Sequence, residues 1–280
     1  MEIGVSNISF SYIDEHLLTQ QKIENCHLSL EIGLNNITWL IHDNNEVLAI
    51  EKILGPLSVI ENILSDHSYL NKKYKSTNIC ILNNKNTFIH YSLYQAKNKS
   101  NYLSLNHNKT EKLNVLTDKI ESISCYNIYG VPKAIESIVE TYFTNATVKH
   151  QNTSIIINLL NQYKNSDKKK IVLNVNEKDF QLIIIEKNQL IFFNNYVFHH
   201  ANDFIYHLLF AYEQLKLDPE KNPVHLFGNI HKNSDIYQLI YTYIKDVSFG
   251  YRNKLVRLNP TVDQIETHNC YSILHQHLCV

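Results

Sequence analysis

Glycine is scarce in this 280-residue chain, which holds only Gly4, Gly33, Gly55, Gly130, Gly228 and Gly250. No Gly-x-Gly-x-x-Gly, no P-loop and no Gly-x-Ser-x-Gly can be assembled from six glycines at these positions. That excludes the glycine-built phosphate loops and the hydrolase nucleophile turn. Arginine is scarcer still: Arg252 and Arg257 are the only two. Base and phosphate readout leans on the planar guanidinium, and the formal net charge is −1, so composition argues against a nucleic-acid partner. The five cysteines, Cys26, Cys80, Cys125, Cys270 and Cys279, are scattered, odd in number and form no Cys-x-x-Cys. Such usage suits a reducing, cytoplasmic compartment better than a disulfide scaffold. Long apolar runs are lacking too. Stretches such as Leu182 to Ile185 are far too short to span a bilayer, and Met1-Glu2-Ile3-Gly4 does not open like a signal peptide.

What remains is an ordinary globular composition, 44% hydrophobic with mixed charge, and long enough to bury a sizeable core. Asparagine makes up roughly an eighth of the residues, well above soluble norms, as an AT-rich coding genome would give. Tyrosine is abundant at 18 copies. Tyr126, Tyr129, Tyr241, Tyr243 and Tyr251 fall near predicted element ends and suit half-buried edges.

The strongest pattern is internal repetition. Residues 28–52 and 171–195 align without a gap at an offset of 143 (28 to 171). Ile32 meets Val175, Ile37 meets Phe180, Trp39 meets Leu182, and Val47 meets Leu190. Each copy is three β-branched or aromatic strands joined by tight polar turns, Asn35-Asn36 and Asp43-Asn44-Asn45 in the first, Glu177-Lys178-Asp179 and Glu186-Lys187-Asn188 in the second. An amphipathic helix follows each copy, with Val59, Ile60, Ile63 and Leu64 on one apolar face and Phe204, Ile205, Leu208 and Tyr212 on the other. Asp203 sits where the second helix begins and Pro219 just beyond its end. Further on, Ile128-Tyr129-Gly130 resembles Leu226-Phe227-Gly228 at an offset of 98. Helices at 135–143 and 236–244 and strands at 146–150 and 247–251 come next. The drop in offset predicts an insertion of 45 residues in the first copy, within about 71–121. The expected division is a first half over 1–150 and a second over 151–280, with a connecting helix at Ile155–Tyr163.

Two consecutive βββαβα copies resemble the duplicated fold of actin, Hsp70 and the sugar kinases. More narrowly, the chain is similar to a bacterial family of uncharacterised proteins with an actin-like ATPase fold. The residues that carry this are Leu30-Glu31-Ile32-Gly33, the run Asn202 to Leu209, and Pro223-Val224-His225-Leu226-Phe227-Gly228. The resemblance implies an α/β, ribonuclease H-like duplicated fold whose halves face a central cleft. It also implies a nucleotide site in that cleft, with an Asp-x-Gly turn in each half and a glycine pair against adenosine. Glycine lets backbone N–H groups approach phosphate, and aspartate holds the magnesium. The positions that match are Glu31 and Gly33 in the first turn, Asn174 and Asn176 in the second, and Gly228 with Asn229 at the adenosine position. Glutamate replaces one aspartate, an amide replaces the other, and one turn glycine is lost.

Those substitutions point to a vestigial nucleotide cleft. The expected function is a non-catalytic actin-like binding or scaffold protein for a protein or peptide partner, with no cofactor. The alternative is a divergent ATPase or small-molecule kinase that uses ATP and magnesium. One metal-like grouping exists, the C-terminal run His268, Cys270, His275, His277 and Cys279, but zinc spacings are absent and a packed or frayed tail is expected. Lys72-Lys73 and Lys168-Lys169-Lys170 are expected to be solvated loop ends.

Overall fold

The computed structural model describes residues 7–107 and 112–279, the side chains of Asn7 and Cys279 excepted. In chain order the elements are β1 (Asn7–Ile13), α1 (Gln20–Ile23), β2 (His27–Ile32), β3 (Asn36–Asp43), β4 (Glu46–Leu54), α2 (Leu57–Asp66), β5 (Ser76–Ile81), β6 (Asn86–His90), α3 (Lys99–Ser104), β7 (Leu113–Ile120), β8 (Cys125–Pro132), α4 (Lys133–Tyr142) and β9 (Thr147–His150). Then come α5 (Gln151–Tyr163), β10 (Lys170–Val175), β11 (Asp179–Glu186), β12 (Gln189–Val197), α6 (Ala201–Gln214), β13 (Val224–Gly228), α7 (Asp235–Tyr243), β14 (Val247–Phe249), β15 (Arg257–Leu258) and α8 (Tyr271–His275). No helix among the described residues is long and apolar enough to cross a membrane.

The chain forms two units. Unit 1 comprises 1–155, 254–264 and 273–280, and unit 2 comprises 156–253 and 265–272. This differs from the division expected from the repeat, in which 151–280 forms the second half. The return of 254–264 to unit 1 has a local cause. Two-residue β15 pairs in parallel with β4, Arg257 opposite Glu46, and the Asn259 side chain donates to Asp14. A pairing that short has no periodicity to read.

Unit 1 holds a seven-stranded sheet in the order β1-β4-β3-β2-β5-β9, with β15 also on β4. Unit 2 holds five strands in the order β12-β11-β10-β13-β14. The shared path is the same, and the offset of 143 survives in atomic detail. Ile32 pairs with Ile37, and Val175 with Phe180. The ladder between β3 and β4 slips at Ile41/His42, and that between β11 and β12 at Ile184/Ile185. Asn44 and Lys187, at matching turn positions, have φ of 51° and 50°. Such bulges and left-handed turns re-aim strands and bend sheets, so their agreement means the two hairpins curve alike.

The cores follow from patterning. In unit 1, Leu28, Leu30 and Ile32 of β2, Trp39 of β3 and Ile60 and Leu64 of α2 share one buried cluster. In unit 2, Ile171, Leu173 and Val175 of β10 meet Phe204 and Leu208 of α6. The helix α6 opens with a capping box: His200 accepts from the backbone of Asp203, whose carboxylate accepts from the His199 and His200 amides.

The insertion needs correction. β5, inside the segment expected to be extra, is the counterpart of β13. Ile81 sits beside Ile32 on β2 as Gly228 sits beside Val175 on β10. The added piece is instead 82–132, between β5 and α4. It carries α3 and a separate three-stranded antiparallel sheet, β6-β8-β7. Ile128-Tyr129-Gly130 belongs to β8 of that sheet. The likeness to Leu226-Phe227-Gly228 misled because the two glycines answer different demands. A Cβ on Gly130 would lie 2.5 Å from the Leu113 side chain, whereas Gly228 has φ of +81°.

Candidate functional site

In unit 2 the expected residues gather at the C-terminal ends of β10 and β13. Asn176 and Asp179 close the hairpin between β10 and β11, the Asn176 N–H donating to the Asp179 carbonyl at 2.8 Å. Four polar side chains then join into one chain. Asn176 Nδ2 donates to Asp179 Oδ1 at 2.7 Å, and Gln181 Nε2 donates to the same oxygen at 2.9 Å. Asn174 Nδ2 donates to Gln181 Oε1 at 2.6 Å, as their direct cross-strand pairing allows. Asn174 and Gln181 are buried. Burial pushes the Asp179 carboxyl above its usual range, against the hydrogen bonds from Asn176 and Gln181. This carboxylate is held by amides, not by a cation.

The Gly228-Asn229 turn is equally committed. Gly228 N–H donates to the His268 carbonyl at 2.8 Å, and Asn229 N–H to the Val175 carbonyl at 2.7 Å. The His268 ring bonds the Ile230 carbonyl at 2.9 Å. Asn176, Gly228 and Asn229 thus have their backbone N–H groups paired within unit 2, where a phosphate or nucleoside would need them free. The side chain of Asn176 occupies the turn that glycine would leave open. The present residues therefore do not fit the phosphate-cradling role in this turn.

In unit 1 the matching turn is simpler. Gly33 N–H donates to the Asn36 carbonyl at 2.9 Å, and a Cβ on Gly33 would meet the Asn36 side chain at 3.2 Å. Glu31 lies on β2, opposite Thr38 of β3 and beside Cys80 of β5, and is buried. At the offset of 143, Glu31, Gly33, Asn36 and Thr38 stand where unit 2 has Asn174, Asn176, Asp179 and Gln181, so Gly33 supplies no side chain to match Asn176.

Sequence reasoning missed Asp179 and Gln181, although Asn174-x-Asn176-x-x-Asp179-x-Gln181 is a legible alternation of polar residues across a hairpin. It also missed a second buried polar cluster in unit 1. Asp118 of β7 accepts from His150 N–H at 2.8 Å, from Thr153 Oγ1 at 2.7 Å and from Tyr129 OH at 3.1 Å. Asn127 donates to Thr153, Asn86 to Asn127, and Asn152 to Asn86. The Asn152 N–H donates to His150 Nδ1, which leaves His150 Nε2 to donate to Asn83 Oδ1 at 3.3 Å. The carboxylate accepts the backbone N–H of His150, the residue just before α5, so one donor at the helix start finds a partner. The cluster fastens the small sheet to that helix. Burial pushes the Asp118 carboxyl up, against its three hydrogen bonds, and pushes the His150 imidazole down to about 3. Asp118→Ala is expected to cost about 2–4 kcal/mol in urea unfolding, because three buried donors lose their acceptor. Asp118→Asn, which keeps an acceptor, should cost less than half of that. A loss under about 0.5 kcal/mol for the alanine variant would contradict this role.

The C-terminal histidines and Cys270 fall in different settings. His268 bonds Ile230, Cys270 is buried, and His277 packs against His42 with ring centroids 4.4 Å apart and planes tilted by 36°. Residues 271–279 are helical. Among the described residues no group of three or more His, Cys, Asp and Glu is placed to hold a metal ion. Tyr129 is buried in the Asp118 cluster, whereas Tyr241, Tyr243 and Tyr251 are exposed.

Against this geometry stand the similarities to known proteins. No curated protein matches. Among solved structures, a Bacteroides thetaiotaomicron protein with an actin-like ATPase fold and unknown function superposes with a TM-score of 0.75 at 20% identity, covering 88% of this chain and 97% of that one. A chain of the PilM-PilN type IV pilus biogenesis complex superposes with a TM-score of 0.58 at 11% identity, covering 91% and 98%. The fold is therefore the actin-like ATPase fold. Residues 14–247 match the family model DUF3822, described as a protein of unknown function, and the chain belongs to that family.

Proposed function

We propose that this protein is a non-catalytic, actin-like binding or scaffold protein that holds a protein or peptide partner. One observation carries the proposal: the unit 2 turn that would cradle phosphate is filled by the Asn174, Asn176, Asp179 and Gln181 side chains, with its amides already paired. Fold alone does not carry the ATPase activity. A partner-binding role is supported by the likeness to a chain solved within a two-protein pilus biogenesis complex. It is also supported by the segment 82–132, which only unit 1 carries and which exposes Leu93 and Leu105 at 68% and 77%. Additions of this kind on a rigid frame commonly bear contacts.

The alternative is a divergent ATPase or small-molecule kinase. It has the retained Gly33 and the buried Glu31 carboxylate of unit 1 in its favour. Calorimetry with ATP and magnesium separates the two. The binding reading expects no heat and no thermal shift at millimolar nucleotide. Saturable binding with a Kd below about 0.1 mM, some 5 kcal/mol of affinity, would replace it with the alternative.

A further inference from the structure

The added sheet does more than decorate unit 1, because it closes one side of a cavity. The space measures about 180 Å³ and lies between β7 and β8 of the small sheet, α4, Ile81 of β5 and Val148 of β9. Its walls are aliphatic: Ile81, Leu116, Val131, Val139 and Val148. Three polar side chains complete the lining, Asn114 of β7 and Glu136 and Glu140 of α4. Asn114 Nδ2 donates to Glu136 Oε1 and so fixes the direction of that carboxylate. Glu140 follows one turn along the same helix face, where residues four apart are neighbours. Glu136 is half-buried and Glu140 exposed, so the carboxylates grade from the cavity wall to its mouth. The nearest lysine on the helix, Lys133, is exposed to solvent.

The dimensions and chemistry select an occupant. Pockets for drug-sized ligands run from about 300 Å³ upward, while a cavity of roughly 150 Å³ accepts one benzene-sized group. This space takes a single side chain. An anionic head would be repelled by two carboxylates. A purely apolar group would desolvate Glu136 without return. A flexible aliphatic stem with a cationic head meets both demands, since the stem lies along aliphatic walls and the head forms charge-assisted hydrogen bonds at the mouth.

We propose that this cavity receives a lysine or arginine side chain from a partner polypeptide. The proposal rests on the partner-binding reading above and gives that reading a chemical specificity. It also explains the asymmetry between units, because the walls at Asn114, Leu116 and Val131 belong to the three-stranded sheet that unit 2 lacks.

The test uses the full chain with methyl-labelled valine and leucine, followed by NMR. The probes are the capped pentapeptides Gly-Gly-Lys-Gly-Gly and Gly-Gly-Arg-Gly-Gly, the same peptide with glutamine at the centre, and n-butylammonium chloride. The expected result is saturable shifting of the Val131, Val139, Val148 and Leu116 methyl signals by a cationic peptide. The glutamine peptide should shift them at least about tenfold more weakly, and so should the cationic peptide against the double variant Glu136→Gln, Glu140→Gln, as loss of charge-assisted bonding implies. Equal response to the glutamine peptide, or an unchanged response in the double variant, overturns the proposal. Shifts from butylammonium without shifts from either cationic peptide overturn the polypeptide source in favour of a free amine. Nucleotide binding elsewhere would displace the non-catalytic reading and leave this result standing, so the two failures are separable.

Discussion

The Gly228→Ala protein is expected to lose about 3 kcal/mol or more of stability, lowering its far-ultraviolet melting midpoint by roughly 6–12 °C. Two costs combine. Gly228 has φ of +81°, a conformation that an L side chain adopts only with strain of about 1–3 kcal/mol. The added Cβ would also lie 2.1 Å from the Val175 carbonyl oxygen. That oxygen is backbone at the end of β10 and already accepts from Asn229 N–H at 2.7 Å, so it cannot swing away without breaking the turn. Trp39, the one tryptophan, is fully buried in unit 1 and serves as an internal control. Its fluorescence reports unit 1, while ellipticity reports both units. A midpoint within about 2 °C of the parent would show that the turn relaxes cheaply, and that Gly228 reflects no backbone demand.

Acid should destabilise unit 1 to a similar degree. His42 and His150 are each pushed down to about 3 from an ordinary 6.5. Burial is the main cause in both, with the facing His277 adding to it at His42. The unfolded chain therefore takes up protons at these sites first. Their contribution is fully present above pH 6.5 and drains away as the pH falls toward 3. At pH 5 each costs about 2 kcal/mol, giving a ceiling near 4 kcal/mol for the pair, a large share of the 5–15 kcal/mol typical of a domain. Asp118 acts in the opposite sense, because its raised carboxyl gains a proton in the folded state first. That compensation sets in above the ordinary carboxylate range, because the folded-state carboxyl is raised by burial. Urea unfolding followed through Trp39 at pH 7.5 and pH 5.0 should show the loss. Equal stability at the two values would mean that the imidazoles find water or a new partner when charged.

Much of the frame was readable because strands and hairpins are local. The alternation through Leu28, Leu30 and Ile32, and again through Ile171, Leu173 and Val175, identifies strands without any tertiary knowledge. Polar turn residues at matching positions set the hairpins, and the offset of 143 predicted pairings that hold residue for residue, down to the bulge at Ile41/His42 and Ile184/Ile185. Parallel pairing was harder. Which strand lies beside β2 is decided across the sheet, by packing: Ile128-Tyr129-Gly130 matches Leu226-Phe227-Gly228 in sequence, yet 76–81 takes that place.

The candidate site divides along the same line. By itself the sequence determined which residue types stand at the turns: an amide at 174, an amide at 176, glycine at 33 and 228. Residue type settles charge and the presence of a Cβ, so the loss of a carboxylate and of a glycine was legible at once. Only the tertiary structure decided what those residues do instead. Asn176 reaches Asp179, Gln181 reaches both Asp179 and Asn174, and Asp118 gathers His150, Thr153 and Tyr129 from elements that lie apart in the chain. The physical reason is that a buried polar group must find a partner wherever the fold brings one within about 3 Å, and no local pattern encodes that distance.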